Sequence, residues 1–274
     1  AQQQGILHCK LYHLSDSLPL SDVIPVLENL GLRVLGEFPF RITQADGTAF
    51  WIHDFEFTFV GGATLDIQEA NELFRDAFKA VWSGQAENDG FNRLVLLAGL
   101  PWRDVALLRA YARYLKQIRL GFELPYIAST LVAHADIARE LVRLFRTRFY
   151  LARKLSAEDL GEMQQKLERA VLGALDEVAV LNEDRILRRY LDLIKATLRT
   201  NFYQPDANGQ SKDYPSLKFD PSAIPELPLP RPMFEIFVYS PRVEGVHLRG
   251  GKVARGGLRW SDREEDYRTE VLGL

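Results

Sequence analysis

Residues 249–274 read RGGKVARGGLRWSDREEDYRTEVLGL, in which two pairs of glycines and several arginines precede a helical pattern. Glycine permits tight turns and close approach of the backbone, and basic side chains donate hydrogen bonds to anions. The basic residues ahead of the helical pattern are Arg249, Lys252, Arg255, Arg259 and Arg263. This arrangement favours a carboxylate or phosphate ligand.

Two nucleotide-binding motifs are not met in this stretch. The Walker pattern GxxxxGK[ST] fails because Gly251 follows Gly250 and Val253 follows Lys252, and GxGxxG is also missing. An alternative interpretation is a glycine-rich hairpin whose solvated arginines pair with neighbouring carboxylates. Those carboxylates are Asp262, Glu264, Glu265 and Asp266. The residues by themselves leave the anion site and the hairpin equally open.

The composition describes a globular chain without a general affinity for polyanions. It has 274 residues, of which 47% are hydrophobic and 26% charged, enough for one large domain or two ordinary ones. The formal net charge of -3 favours neither nucleic acid nor an anionic membrane as a partner. No apolar run approaches the roughly 20 residues of a membrane span, and the first residues do not form a signal-peptide pattern.

The cysteine content and the two ends of the chain suggest a context. The single cysteine, Cys9, cannot form an internal disulfide, so we expect a reducing compartment and a cytoplasmic location. The chain does not begin with Met, and its last helical pattern runs to Leu274, so we expect a fragment. Because an unfinished sheet has unpaired edges, we expect roughly the last forty residues to be poorly ordered or to pack into a neighbour.

The beginning of the chain has the pattern strand, helix, strand, strand. In ILHCKLYHL, Leu7, Cys9 and Leu11 face the same way, which is the period of a half-buried strand. Ser21 is a candidate cap for a short helix that Gly31 would end. The segments LRVLGEFPFRI and FWIHDFEFTFV then predict two strands around the turn QADGT. The pattern predicts a small α/β sandwich.

The middle of the chain changes to the period of helices. Pro101 opens a helical segment in the favoured first turn, and Ser156 with Asp159 forms a capping-box-like start for another. Asn182 is a candidate cap for a later helix with a continuous apolar stripe. These signals predict a helical domain over residues 66–203.

A proline-rich stretch follows the helical region. Seven of the 13 prolines lie between residues 201 and 232, and proline removes hydrogen-bond donors and restricts φ. Residues 204–232 are therefore predicted to be an extended connector. The alternation in MFEIFVYS then predicts a new strand and a new unit from residue 233.

The string SPRVEGVHLRGGKVARGGLRWSDREEDYRTEVLGL closely resembles the start of the catalytic domain of the large bacterial NAD-specific glutamate dehydrogenases. The matching motif is GGLRW together with the TEVLGL helix. The resemblance implies that Arg255 engages a substrate carboxylate, that Gly256 and Gly257 allow close approach, and that Arg259 braces the loop. Shorter glutamate dehydrogenases usually have Lys at the position of Arg255, and a guanidinium differs from an ammonium in reach and geometry.

The same resemblance implies an activity for a longer parent protein. In that family a lysine that promotes the chemistry and a dinucleotide-binding domain follow the TEVLGL helix. The parent would oxidatively deaminate L-glutamate to 2-oxoglutarate and ammonia with NAD as cofactor, and we expect a homo-oligomer. We expect no turnover from this chain alone, and we assign it no catalytic, cofactor-binding or metal-binding residue.

The predicted fold class is α+β, and the first unit is similar to an ACT-like ligand-binding domain. The predicted segments are an ACT-like α/β domain at 1–65, a helical domain at 66–203, a proline-rich linker at 204–232 and the truncated start of a catalytic domain at 233–274. An alternative function is a non-catalytic regulatory segment that binds an amino-acid effector or mediates subunit assembly.

Some histidines invite a metal or catalytic interpretation that strand geometry does not favour. His8, Cys9 and His13 are soft metal ligands by type, but His8 and Cys9 are neighbours on a strand and point to opposite faces. His53 and Asp54 are neighbours in the same way. We expect packing roles for these residues.

One helical segment carries a stripe of arginines. Arg139, Arg143 and Arg146 share a helical face, which could contact RNA or an acidic surface. No aromatic residues are interleaved with them, so we expect a solvated or salt-bridged face. His134 and Asp136 do not share a face, because residues two apart on a helix diverge.

Overall fold

The computed structural model describes residues 6–14, 16–60, 67–150, 156–262 and 266–273. Its mixture of helices and sheets confirms the α+β fold class. The chain divides into two compact units, Ala1–Trp102 and Arg103–Leu274. The boundary between these units lies inside the predicted helical domain at 66–203. The division into four segments therefore stays a prediction. Of the helices that the structure describes, none has the length and apolar character needed to cross a bilayer.

The first unit contains a three-stranded antiparallel sheet in the order β1-β3-β2. Its elements are β1 Leu7–Leu14, α1 Leu20–Asn29, β2 Leu32–Thr43, β3 Ala49–Phe59, α2 Ile67–Trp82 and α3 Leu94–Leu97. The predicted pattern of strand, helix, strand, strand is confirmed. Ser21 as the helix cap is wrong, because α1 begins at Leu20 behind Pro19. Gly31 ends the helix as predicted, with a φ of 87° that favours glycine.

The two faces of this sheet have different surroundings. Phe55 and Phe57 of β3 are buried on one face, where the ring of Phe57 stacks on Phe74 of α2 at 6.5 Å between centroids. The opposite face exposes large apolar side chains, namely Tyr12, Leu14, Phe38, Phe40 and Ile42. The sheet is therefore half of a sandwich, with helices on one side only among the described residues.

His53 and Asp54 point to opposite faces of this sheet, as predicted. The buried His53 places its Nδ1 2.8 Å from Glu37 Oε1, and its Nε2 accepts a hydrogen bond from the Leu18 N–H at 3.1 Å. Asp54 lies on the other side, 3.2 Å from His8 Nδ1. His53 therefore ties the loop ahead of α1 to the sheet.

The second unit packs helices on a five-stranded antiparallel sheet in the order β4-β5-β6-β7-β8. The helices are α4 Trp102–Gln117, α5 Leu124–Ala133, α6 Ala135–Phe149, α7 Ala157–Leu175, α8 Leu181–Ala196 and α9 Tyr267–Gly273. The strands are β4 Thr197–Thr200, β5 Ser216–Phe219, β6 Phe234–Tyr239, β7 Val243–Gly250 and β8 Val253–Trp260.

The predicted helix starts agree with the structure in one case and differ in another. Ser156 caps α7, since its Oγ accepts a hydrogen bond from the Asp159 N–H at 3.1 Å. Asn182 as a cap is wrong, because α8 begins at Leu181 behind Val180 and has no side-chain cap. The apolar stripe of α8 is buried as predicted over Ile186, Leu187, Tyr190, Leu191 and Ile194. Leu198 as its last member is wrong, because α8 ends at Ala196 and Leu198 is an exposed residue of β4.

The proline-rich stretch is more than a connector. Between Pro215 and Pro221 it leaves a run without proline, and there β5 forms with Leu217 and Phe219 fully buried. All backbone donors are present within this run, so the strand can pair with β4 on one side and β6 on the other. The structure differs here from the predicted extended connector.

The sheet at the end of the chain has more strands than the sequence predicts. The expectation that the last forty residues are poorly ordered or pack into a neighbour assumes that β6, β7 and β8 form an unfinished sheet, and it stays a prediction. In the structure, β5 and β4, which come earlier in the chain, extend the sheet beyond β6. Among the described residues, β8 is left as one edge strand.

A carboxylate at the centre of this sheet is fully buried. Glu235 on β6 accepts hydrogen bonds from Arg268 Nε at 2.9 Å and from the Tyr114 hydroxyl at 2.6 Å. Burial, followed by the charge of Glu235, raises the pKa of Tyr114 well above its ordinary value, so the phenol stays protonated and donates. The Arg268 N–H donates to Gln117 Oε1 at 3.0 Å. These contacts join α4, β6 and α9.

We predict that Arg268→Ala lowers the free energy of unfolding of the second unit by about 3–5 kcal/mol, because it leaves the Glu235 carboxylate buried without its cation. Urea denaturation measures the change. The control is Arg143→Ala, which removes an exposed ion pair and should cost less than about 1 kcal/mol. Equal losses for the two variants would contradict this role for Arg268.

We also predict that Cys9 is unreactive in the folded chain. Burial, with a smaller contribution from Asp54, raises the pKa of its thiol to about 11. Because the thiolate is the nucleophile, alkylation of Cys9 by iodoacetamide at neutral pH should be roughly 100-fold slower than alkylation of an ordinary thiol. The rate should rise as the pH is raised, until the pH reaches about that pKa. Mass spectrometry follows the labelling, and the urea-unfolded chain is the control. Labelling at the same rate in both states would refute the prediction.

Candidate functional site

The residues that the resemblance singles out lie on β8, at an edge of the second sheet. Successive residues of a strand point to opposite faces, so Arg255, Gly257 and Arg259 share one face and Gly256 lies on the other. The register places the first three opposite Leu248, Val246 and Glu244 of β7, all of which are buried. The structure thus brings three of the four predicted residues together on the helix side of the sheet.

Arg259 is held in place on this face. Its side chain is only 7% exposed, and Nη2 donates a hydrogen bond to Glu244 Oε2 at 3.2 Å. The guanidinium carbon lies 5.2 Å from the centre of the Tyr267 ring, within the range of a cation–π contact. Arg259 therefore links β8 to β7 and to the first residue of α9.

Both glycines of the motif are required by the packing of the protein itself. A Cβ on Gly257 would lie 1.9 Å from the Tyr267 hydroxyl oxygen. A Cβ on Gly256 would lie 2.7 Å from the Val246 carbonyl oxygen on the other face. Real Cβ atoms do not approach so closely, so any side chain here would move Tyr267 or the β7 backbone.

Arg255 is exposed and reaches the other end of α9. Its Nη1 donates a hydrogen bond to the Leu272 carbonyl oxygen at 2.8 Å. A basic side chain at the end of a helix satisfies a carbonyl group that lacks a partner within the helix. A guanidinium has further donors, so Arg255 can hold this carbonyl and still bind an anion.

Contacts from distant parts of the chain fix α9 on this face. Besides the Arg268–Glu235 pair, Asp266 caps the helix by accepting a hydrogen bond from the Thr269 N–H at 2.9 Å. Asp266 also accepts a hydrogen bond from Arg119 Nε at 2.7 Å.

The hairpin interpretation paired the arginines of this stretch with the acids that follow them. In the structure, Arg259 pairs with Glu244 and Asp266 with Arg119, so both partners come from elsewhere in the chain. Arg263, Glu264 and Glu265 lie outside the described residues.

Sequence reasoning missed Tyr267, Arg268 and Glu235. The sequence does not predict the buried pair of Arg268 and Glu235, because a charged residue in a strand or helix is normally exposed. The two residues are also 33 positions apart, so no local pattern connects them. The signal for Tyr267 was the second glycine of the motif, since a glycine inside a strand often marks the close approach of another group.

The other candidate groups behave as the sequence predicted. Arg139 and Arg143 form ion pairs with acids on their own helix, at 2.8 Å to Asp136 and 2.7 Å to Glu140. The third member of the stripe, Arg146, pairs with the buried Asp104. The salt-bridged helix face is therefore confirmed.

The histidines also have structural partners. His134 Nε2 lies 2.8 Å from Glu183 Oε2, and His13 Nδ1 lies 2.8 Å from the Asp16 carbonyl oxygen. Within the described ranges, no cluster of three or more His, Cys, Asp or Glu residues is arranged to hold a metal ion.

Three protein-family models match successive parts of the chain. Residues 1–70 match "Glutamate dehydrogenase, ACT3 domain", residues 86–151 match "Glutamate dehydrogenase, helical motif 3", and residues 170–274 match "Bacterial NAD-glutamate dehydrogenase, catalytic domain". The catalytic model includes both β8 and α9. The three matches occur in the order in which the sequence suggested an ACT-like unit, a helical region and a catalytic start.

Curated relatives cover the whole chain. It is 76% identical over 274 residues to the NAD-specific glutamate dehydrogenase of Pseudomonas aeruginosa, covering all of this chain and 17% of that protein. Identity is 55% to the protein of the same name from Halomonas elongata, over 98% of this chain and 16% of the relative. Identity to the NAD-specific glutamate dehydrogenase of Mycobacterium tuberculosis is 44%, over 99% of this chain and 17% of the relative. The chain spans about a sixth of the length of these relatives, and it belongs to the bacterial NAD-specific glutamate dehydrogenase family.

Proposed function

We propose that this chain is part of a longer enzyme that oxidatively deaminates L-glutamate to 2-oxoglutarate and ammonia with NAD as the oxidant. The observation that carries the proposal is Arg255, an exposed guanidinium at the edge of a glycine-bearing strand that lies within the match to the catalytic domain. Three relatives that align with nearly all of the chain are named NAD-specific glutamate dehydrogenase.

The proposed role of this region is to hold the substrate. Arg255 binds a carboxylate of glutamate, and its planar fork suits two parallel hydrogen bonds to the two oxygens. Gly256 and Gly257 keep side chains away from the strand, and Arg259 keeps the strand and α9 together.

The described residues do not fit the cofactor. Both sheets are antiparallel, whereas dinucleotides bind at the carboxyl ends of parallel strands, and the sequence has no GxGxxG motif. We therefore place NAD and the lysine that promotes the chemistry in other parts of the enzyme. This chain alone should not turn over glutamate.

Assembly and location complete the proposal. The outer face of β1, β2 and β3 exposes Tyr12 at 67%, Leu14 at 69% and Phe40 at 53%, an unusual surface for a monomer. The same face carries an ion pair, in which Lys10 Nζ lies 3.5 Å from Asp54 Oδ2. A second copy of the chain would present an acid opposite the lysine and a base opposite the aspartate. We propose a homo-oligomer formed through this face.

The proposed location is the cytoplasm, where the free thiol of Cys9 stays reduced. The proposal also includes an amino-acid effector that binds to the ACT3 domain.

We predict that Arg255→Ala raises the KM for glutamate about tenfold or more in the full-length enzyme that carries this chain, since a charge-assisted contact is lost. Arg255→Lys should have a smaller effect because it keeps the charge and loses the fork. Glutamate-dependent reduction of NAD is the assay. The matched control is Arg249→Ala, an arginine on the opposite face of the sheet that should leave KM unchanged. A folded full-length protein without this activity would overturn the proposed function.

We predict that the chain self-associates and that Phe40→Glu shifts it towards the monomer in sedimentation velocity experiments, because the charge lies in the proposed contact. The control is Leu181→Glu, which adds the same charge at an exposed apolar residue of α8. If the unaltered chain stays monomeric at high concentration, or if both variants behave alike, this face is not the interface.

A further inference from the structure

The phenol of Tyr267 lies on the same side of β8 as Arg255. Gly257 is two residues from Arg255 and points to the same face, and the Tyr267 hydroxyl occupies the space where a Gly257 side chain would be. Tyr267 is the first residue of α9, and Arg255 contacts Leu272 near its end. The hydroxyl and the guanidinium therefore both lie between β8 and α9, at strand positions two residues apart on one face.

The ring is held by groups that are themselves fixed. Arg259 lies over it at 5.2 Å and is bound to the buried Glu244. The residue after Tyr267 is Arg268, whose guanidinium is buried against Glu235. Arg259 on β8 and Arg268 on α9 thus hold the ring from two sides. The position of the phenol oxygen is therefore fixed before any ligand binds.

The hydroxyl has no other use within the part of the chain that the structure describes. It makes no hydrogen bond to another described residue, and Tyr267 as a whole is half-buried. Arg259 Nε is buried and has no acceptor among the described residues. The half-buried phenol therefore lies over Gly257, two residues from Arg255 on the same face of β8. A hydroxyl donor beside a guanidinium on one strand face favours a ligand with several acceptor oxygens, as a carboxylate has.

We propose that the Tyr267 hydroxyl is a second binding group for the carboxylate that Arg255 holds, so that the substrate is a dicarboxylate gripped at one end by a phenol and a guanidinium. This proposal rests on the proposed function. The hydroxyl donates one hydrogen bond to a carboxylate oxygen, and Arg255 supplies the charge. Gly257 is glycine because the phenol, and not a side chain of β8, must occupy this position.

The test uses the full-length enzyme that carries this chain, with Tyr267→Phe as the variant. Phenylalanine keeps the ring over Gly257 and under Arg259, so folding is preserved and only the hydroxyl is lost. We expect the KM for glutamate to rise about tenfold while kcat changes less than about twofold. The inhibition constant of glutarate, a dicarboxylate that cannot react, should rise by a similar factor. The control is Tyr126→Phe, a tyrosine of α5 that is 36% exposed and should change neither value.

A second pair of variants tests the position of the ring. Gly257→Ala must displace Tyr267, so it should weaken glutarate binding at least as much as Tyr267→Phe. Gly250→Ala is its control, because a Cβ there has nothing within 4 Å. The melting temperature of each variant shows whether it is folded.

The outcomes separate the two proposals. If the unaltered enzyme does not reduce NAD with glutamate, the proposed function fails. If it is active and Arg255→Ala weakens glutarate binding while Tyr267→Phe leaves KM and the inhibition constant within about twofold, the role of Tyr267 alone is overturned. A fall in kcat with unchanged KM and glutarate binding would also overturn it, because the hydroxyl would then act outside substrate binding.

Discussion

A buried carboxylate in the central strand of the second sheet sets the position of everything around the candidate site. Glu235 has no access to water, so its charge requires partners inside the protein. Arg268 supplies the cation and Tyr114 a further donor, and the two come from α9 and α4. Removing either charge would leave the other buried, which is why this pair holds α9 against the sheet more firmly than its seven residues could by their own propensity.

The geometry at β8 follows from where α9 is held. With Arg268 anchored, the preceding Tyr267 lies over Gly257, and the Leu272 carbonyl comes within reach of Arg255. The glycine pair is therefore explained by packing before any ligand is considered, since Gly257 accommodates the phenol and Gly256 the β7 backbone. Substrate binding, as proposed, would use a surface that the protein has already shaped.

The two sheets differ in how much apolar surface they leave exposed. In the second unit, β5 emerges from the proline-rich stretch and joins β4 to β6, and Phe219 stacks on the buried Tyr114 at 4.2 Å between ring centres. In the first unit, helices cover the face of Phe55 and Phe57, while Tyr12 and Phe40 on the opposite face stay exposed. An exposed apolar face of this kind is typical of a surface that binds another protein surface.

The sequence by itself determined the strand and helix order of the first unit, the cap at Ser156, the turn at Gly31 and, through GGLRW, the family. These depend on short-range patterns, because alternation, caps and positive φ are decided by a few neighbouring residues. It did not predict β5, since prolines on both sides masked a short run that becomes a strand only between β4 and β6. It also missed Glu235, Arg268 and Tyr267, and the Tyr114 contact to Glu235 spans 121 positions. Only the tertiary structure decided these, because the free energy of a buried charge or of a ring over a glycine depends on groups that the fold brings together from distant parts of the chain.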